Sequence, residues 1–188
     1  MVLSAFNEAM KGYHCMTPEQ AEYHRAMLMV GLGDRFEKWF DEALEVEDPL
    51  SDLTLSLCEC ISDVNAVLRI LGEYVSDHTV DGQVVCDLIV ADVRMRYASG
   101  EMSRADVVAT LYSIARALDK YWEEPWDALM VMSYDLELYE EGIISEAVFN
   151  QSFDAWFDGG ARLDPWALQE EALQQKAKPK WWQKLFKK

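Results

Sequence analysis

The chain has 188 residues, of which 51% are apolar, which is enough for a domain with a hydrophobic core. Its 34 acidic and 17 basic residues give a net charge of −17, and so acidic a body repels phosphate backbones, which excludes direct nucleic-acid binding by that body. No run approaches the roughly 18 apolar residues of a membrane span, and the first residues do not have the form of a signal peptide, so we expect a cytoplasmic protein.

The charge is unevenly distributed along the chain. Residues 176–188 contain six lysines and no acid, so residues 1–175 hold 11 basic and 34 acidic residues and carry a net charge of −23. We therefore predict an acidic all-helical domain over residues 1–175, followed by a basic aromatic tail over residues 176–188. A basic protein is the natural partner of such an acidic body.

Helical spacing of apolar residues begins near the N-terminus and continues along nearly the whole chain. Thr17-Pro18-Glu19-Gln20 has the form of a capping box with proline at the first helical position, which predicts a helix from about Pro18 toward Gly31. Asp34 is expected to cap a second helix, and residues 46–52 are predicted to form a loop.

The clearest helical period lies in residues 53–75. Apolar residues follow one another at steps of four, four, three, four and three, which would keep them on one helical face: Leu53, Leu57, Ile61, Val64, Leu68 and Leu71. This spacing predicts one long helix, followed by a turn over residues 76–82.

The remaining helices are predicted near residues 83–98, 104–121, 125–140, 146–157 and 165–176. Two junctions between them are similar: YASGEMSRADV at 97–107 and YEEGIISEAVF at 139–149. In each, a glycine in the left-handed conformation should end one helix and a serine should cap the next. The predicted fold is all-α, a single-domain antiparallel helical bundle or short helical array of about seven to eight helices.

Motifs for catalysis, metal binding or phosphate binding are missing from the sequence. None of the three histidines follows a glutamate by three positions, as helical di-iron sites require, and Gly31-Leu32-Gly33 has no third glycine. The four cysteines, Cys15, Cys58, Cys60 and Cys86, lie in apolar helical stretches and are expected to be reduced, buried thiols. We therefore expect no enzymatic activity and no cofactor.

Three acidic clusters are candidates for partner binding. The first has three acids spaced by four, which places them on one helical face, and the third lies across the second glycine junction. The second, at residues 123–127, lies at a helix start, where the helix dipole already favours negative charge. The predicted partner-binding residues come from the first and third clusters: Glu37, Asp41, Glu42, Glu45, Glu47, Asp48, Glu137, Glu140, Glu141 and Glu146.

The tail has the composition of an interfacial anchor. Trp181-Trp182 and Leu185-Phe186 are spaced by four, so a short helix would place them on one side with lysines around them. Its destination can be an anionic lipid surface, the acidic body of the same or another copy, or a partner. The predicted tail-binding residues are Lys178, Lys180, Trp181, Trp182, Lys184, Leu185, Phe186, Lys187 and Lys188.

Residues 85–139 resemble a helical domain of unknown function found in the enterobacterial YbeR and YbeU proteins. The resemblance rests on Asp87, Tyr97, Gly100-Glu101-Met102-Ser103, Tyr121, Trp126 and Tyr134. Cys86 and Val90 stand where that family has tryptophan and arginine, so its Asp–Arg pair is not reproduced. Segment 97–107 also resembles helical immunity proteins that neutralise bacteriocin nucleases and are acidic and non-enzymatic.

Together these features predict a non-enzymatic acidic binding protein. The first hypothesis is a bacterial immunity or inhibitor protein whose acidic face covers a basic effector such as a toxin. The alternative is a peripheral membrane adaptor at the inner face of the membrane, anchored by the basic tryptophan-rich tail. The partner and the oligomeric state remain open.

Overall fold

The computed structural model describes residues 16–120, 126–158 and 163–177, and for residues 127–129 and 175–177 it describes the backbone only. These residues form nine helices and no strand, which confirms the predicted all-α fold. The helices are α1 (Pro18–Met29), α2 (Asp34–Val46), α3 (Asp52–Cys58), α4 (Val64–Ser76), α5 (Gly82–Ser99), α6 (Arg104–Ala117), α7 (Asp127–Glu140), α8 (Glu146–Phe157) and α9 (Pro165–Ala177).

The chain divides into two compact units, Met1–Leu129 and Met130–Lys188, and the boundary falls in the first turn of α7. In the first unit, α1 packs against α2, α4, α5 and α6. In the second unit, α8 packs against α9. None of the helices in the described part of the chain is long and apolar enough to cross a membrane.

Helix α1 begins as predicted, at a capping box. The Gln20 backbone N–H donates to the Thr17 hydroxyl at 3.2 Å, and the Thr17 backbone N–H donates to the Gln20 side chain at 3.0 Å. Ala21 and Ala26 are fully buried, and such small side chains let neighbouring helices approach closely. Because α1 is buried on most sides, four of its polar side chains lie inside the first unit: Gln20, Glu22, Tyr23 and His24.

The prediction of one long helix over residues 53–75 is wrong. The chain forms α3 and α4 instead, separated by a turn at residues 59–62. The Asp63 carboxylate accepts hydrogen bonds from the backbone N–H groups of Asn65 and Ala66, which caps a new helix at this point. Ile61 and Val64 are 37% and 51% exposed, so the apolar face is interrupted here. This interruption divides one predicted helix into two, which gives nine helices in the described residues.

A hydrophobic core in the first unit holds one face of α2. Phe36 and Phe40 of α2 pack in one buried cluster with Leu57, Val67 and Leu71 of α3 and α4. Buried residues along α2 are spaced by three or four, as on one face of a helix. The opposite face of α2 is therefore presented to solvent.

The two glycine junctions have the predicted conformation. Gly100 and Gly142 adopt φ angles of 81° and 71°, in the left-handed region where a side chain would be strained. Ser103 caps α6 through its hydroxyl, whereas Ser145 occupies the N-cap position of α8 without a hydrogen bond from its side chain. The shared sequence pattern thus produces the same turn in both units.

Candidate functional site

Besides Asp34 at its start, which pairs with Arg96, α2 and the loop that follows it expose five carboxylates. Glu37, Asp41, Glu42 and Glu45 lie on the helix, and Asp48 follows in the loop. We call these five residues the α2 acidic surface. All five belong to the first predicted cluster: the four on α2 lie on the solvent side of the helix, and Asp48 is exposed in the loop that follows.

Helix formation by itself does not account for the α2 acidic surface. Glu42 lies 3.7 Å from Lys38, an exposed pair of small energetic value, and the other four carboxylates form no ion pair with any described residue. Glu37, Asp41 and Glu45 repel one another by a few tenths of a kcal/mol per pair. Glu45 also lies in the last turn, where the helix dipole disfavours negative charge. A bound cationic surface would relieve these unfavourable interactions.

Glu47, predicted to belong to the same cluster, is placed differently. Its side chain is buried, and its Oε2 accepts a hydrogen bond from the Ser51 backbone N–H at 2.9 Å, next to the start of α3. Its Oε1 has no hydrogen-bond partner in the described part of the protein. Glu47 therefore holds the loop between α2 and α3 and is not part of the α2 acidic surface.

Exposed aliphatic side chains are present on α2 itself and on the helix that follows it. Leu44 and Val46 of α2 are 43% and 53% exposed, and Leu55 of α3 is exposed as well. Protein interfaces combine an apolar centre with a polar rim, and clustered exposed aliphatic residues often mark such sites. The acidic side of α2 thus offers both kinds of contact that a protein partner uses.

A buried ionic network fixes the start of α2. Asp92 of α5 is fully buried, and its carboxylate accepts hydrogen bonds from the Tyr23 hydroxyl at 3.1 Å, from Arg35, and from Arg96 at 3.2 Å. Arg96 also donates to the carboxylate of Asp34. Because Asp34 and Arg35 are the first two residues of α2, the helix is tied to α5 at its N-terminus.

The network corrects one prediction from sequence and shifts the pKa values of two of its members. The prediction that Asp34 caps α2 is wrong, because Gly33 occupies the N-cap position and the Asp34 carboxylate pairs with Arg96. Burial raises the pKa of the Tyr23 hydroxyl, and the charge of Asp92 raises it further. Burial by itself would lower the pKa of Arg96, but the hydrogen bonds and charges of Asp34 and Asp92 outweigh it and raise the pKa.

This network was not predicted from the sequence, although the sequence of α5 contains one local signal for it. Asp92 and Arg96 are four residues apart and fall on the same face of α5 as the buried residues Val85, Ile89 and Val93. A pair of opposite charges at otherwise apolar helix positions indicates a buried ion pair. The contributions from α1 and α2 lie 57 or more residues away in sequence and have no local signal.

The third predicted cluster lies in the second unit, around the junction at Gly142. Its members, Glu137, Glu140, Glu141 and Glu146, are all exposed, and none forms an ion pair with a described residue. Glu140 ends α7, where the helix dipole disfavours an acid, and Glu146 begins α8, where the dipole favours one. The second unit therefore has an exposed acidic cluster of its own.

The prediction that the cysteines are buried is only partly right. Cys86 is buried, whereas Cys58 is exposed and Cys60 is half-buried, because α3 ends at Cys58 and Cys60 lies in the turn that follows. Cys15 lies outside the described residues. Burial raises the pKa of the Cys86 thiol to about 11, and the nearby charge of Asp87 contributes to this shift.

Two further groups of predictions concern metal ligands and the tail. No three His, Cys, Asp or Glu side chains within residues 16–120, 126–158 and 163–177 come together in a way that could hold a metal ion. All nine predicted tail-binding residues, from Lys178 to Lys188, lie outside the described residues. The tail hypothesis therefore rests on its sequence.

Comparison of this chain with protein-family models, with curated proteins and with solved structures finds no match. The resemblances to the YbeR and YbeU domain and to immunity proteins thus stay predictions from sequence.

Proposed function

We propose that this chain is a non-enzymatic binding protein whose α2 acidic surface binds a basic protein, as an inhibitor or immunity protein covers a basic effector. The row formed by Glu37, Asp41 and Glu45 carries the proposal, because these exposed carboxylates repel one another and have no cationic partner among the described residues. A protein surface rich in lysine and arginine would supply that partner.

The contacts that hold α2 against the rest of the first unit favour tight binding of a partner. Phe36 and Phe40 pack the helix into the core, and Asp34 and Arg35 join its N-terminus to α5. A surface held in this way loses little conformational entropy when a partner binds. The exposed aliphatic residues Leu44 and Val46 would add apolar contact within the charged region.

The net charge predicts how binding should depend on salt. A chain with a net charge of −17 attracts a basic partner over distances comparable to the Debye length, about 8–10 Å at ordinary ionic strength. Association should therefore be fast at low salt and slow down markedly as salt is added. An apolar contact without charge complementarity would show much weaker salt dependence.

The test compares two variants that remove the same charge. One carries Glu37→Gln, Asp41→Asn and Glu45→Gln, and the matched control removes three exposed carboxylates elsewhere in the first unit: Glu59→Gln, Asp77→Asn and Asp87→Asn. The parent chain and the two variants are purified, and each is used at low salt to capture proteins from a native lysate. The captured proteins are identified by mass spectrometry. The association rate of each captured protein with the three chains is then measured.

We expect the parent and the control variant to capture the same basic protein and the α2 variant to lose it. The association rate should fall about tenfold or more for the α2 variant at low salt, and much less for the control. If the two variants lose the partner equally, total charge rather than the α2 acidic surface governs binding. If no basic protein is captured at low salt, or if the α2 variant captures it as well as the parent, the proposed function is wrong.

The composition of the tail supports a second function, that of a peripheral membrane adaptor. Six lysines with two adjacent tryptophans and a Leu-Phe pair in residues 176–188 suit the interface of an anionic bilayer. Flotation with vesicles containing phosphatidylserine tests this function. Binding that disappears when residues 176–188 are deleted supports the adaptor, whereas no flotation of the full chain eliminates it.

A further inference from the structure

A cavity of about 250 Å³ opens in the first unit, where the end of α4, the start of α5 and the end of α6 meet α1. Its apolar wall is formed by Val75, Val80, Val85, Leu118 and Trp126. Val85 and Trp126 are almost completely buried, so this wall belongs to the packed interior. A cavity with apolar walls and a few polar groups is the usual form of a small-molecule site.

Two residues of opposite charge also line this cavity. Glu22 comes from α1, and Lys120 follows the end of α6. Both oxygens of the Glu22 carboxylate accept hydrogen bonds from the Arg25 guanidinium, at 2.6 and 2.9 Å, which holds the carboxylate in one orientation. Each carboxylate oxygen can accept a second hydrogen bond, so this pairing leaves Glu22 able to bind a ligand.

The volume limits the size of the ligand. A cavity of about 150 Å³ accommodates benzene, which has six heavy atoms, so 250 Å³ corresponds to a molecule of about ten heavy atoms. Aliphatic and small aromatic α-amino acids have this size. They also have an ammonium group, a carboxylate and an apolar side chain in one molecule.

We propose that this cavity binds a small zwitterion of the apolar α-amino acid class. Glu22 accepts hydrogen bonds from the ammonium group, Lys120 pairs with the carboxylate, and the side chain packs against the partly exposed Val75, Val80 and Leu118. The described residues that line the cavity include no member of the α2 acidic surface, so this site is independent of the proposed function.

The first measurement uses L-leucine and L-phenylalanine with the full chain. Saturation-transfer NMR and calorimetry are performed up to about 10 mM ligand, because a ligand of this size reaches only modest affinity. The two controls are 4-methylpentanoate, which has no ammonium group, and 3-methylbutylamine, which has no carboxylate. We expect saturable binding of at least one amino acid, and binding of both controls weaker by about tenfold or more.

Two variants locate the site. Lys120→Gln should weaken amino-acid binding by about tenfold or more and leave 3-methylbutylamine unaffected, because the amine has no carboxylate for Lys120 to bind. A Cβ atom at Gly82 would meet nothing within 4 Å, so a leucine side chain can be placed there without a clash at its Cβ atom. Because Gly82 lines the cavity, Gly82→Leu should fill part of the cavity and also reduce binding. Lys38→Gln, a change at an exposed lysine of α2, is the matched control and should bind like the parent.

Several outcomes would overturn the proposal. Absence of saturable binding for both amino acids would do so, and so would equal binding of the acid or amine control. Binding that is unchanged in both the Lys120 and the Gly82 variants would place any ligand elsewhere. Far-UV circular dichroism of each variant establishes that a loss of binding does not reflect a loss of fold.

Discussion

The buried imidazole of His24 should make the stability of the protein fall as the pH is lowered. His24 is fully buried in α1 among the rings of Tyr23, Phe36 and Trp39, and neither ring nitrogen has a hydrogen-bond partner in the described part of the chain. Burial lowers its pKa from 6.5 to about 3, and the positive charge of Arg35 contributes to the shift.

The direction of this pH dependence is set by the difference in proton binding between the folded and the unfolded chain. In the unfolded chain His24 binds a proton as the pH falls below 6.5, whereas in the folded chain it does so only near pH 3. Its contribution to stability is therefore complete above pH 6.5 and is lost progressively as the pH falls toward 3. Between pH 7 and pH 5 the loss is on the order of 2 kcal/mol, from 1.36 kcal/mol per pKa unit.

Replacement of His24 by leucine should remove this pH dependence. At pH 7 we expect His24→Leu to be at least as stable as the parent, because two unpaired nitrogens leave the core. Urea unfolding followed by circular dichroism at pH 7, 6 and 5 measures the free energy of unfolding of the parent, of His24→Leu and of His78→Gln, a change at an exposed histidine. If the parent and His24→Leu lose the same stability between pH 7 and pH 5, the reasoning is wrong.

Three other predictions test the first unit. Asp92→Asn should lower the free energy of unfolding by about 3 kcal/mol, because it leaves the buried Arg96 and the half-buried Arg35 underpaired. Asp87→Asn on the exposed side of α5 should change it by less than about 0.5 kcal/mol. Urea titration compares the two variants, and equal effects would argue against the network. Asp63→Ala should cost about 1 kcal/mol in the same assay, and no change would show that this cap does not start α4. In native protein, Cys58 should react with iodoacetamide and Cys86 should react only after unfolding, as peptide mapping can establish; similar rates would contradict the burial of Cys86.

Local signals predicted the starts and ends of helices well. The capping box at Thr17 and the two glycine–serine junctions are built from residues a few positions apart, so their hydrogen bonds depend on local sequence. The same reasoning failed at residues 59–63. There the apolar period continued through the sequence, but the cap at Asp63 and the turn before it interrupted the helix.

The exposed acids of the candidate site were also found from sequence, because charged residues spaced by four on a helix with an apolar opposite face must point to solvent. Burial of individual polar residues was not predictable in this way. Glu47 belongs to the same acidic run as Glu45, and only its position over the start of α3 shows that it is buried and bonded to Ser51.

The sequence by itself determined the all-α class, most helix boundaries and the strongly acidic character of the chain, because these depend on composition, on periodicity and on contacts between near neighbours. Only the tertiary structure decided which charges are buried and which surround a cavity. Asp92 meets Tyr23 and Arg35, and Glu22 shares a cavity with Lys120, across separations of 57 to 98 residues. Such groups come together through the packing of whole helices, and no local pattern in the sequence encodes that packing.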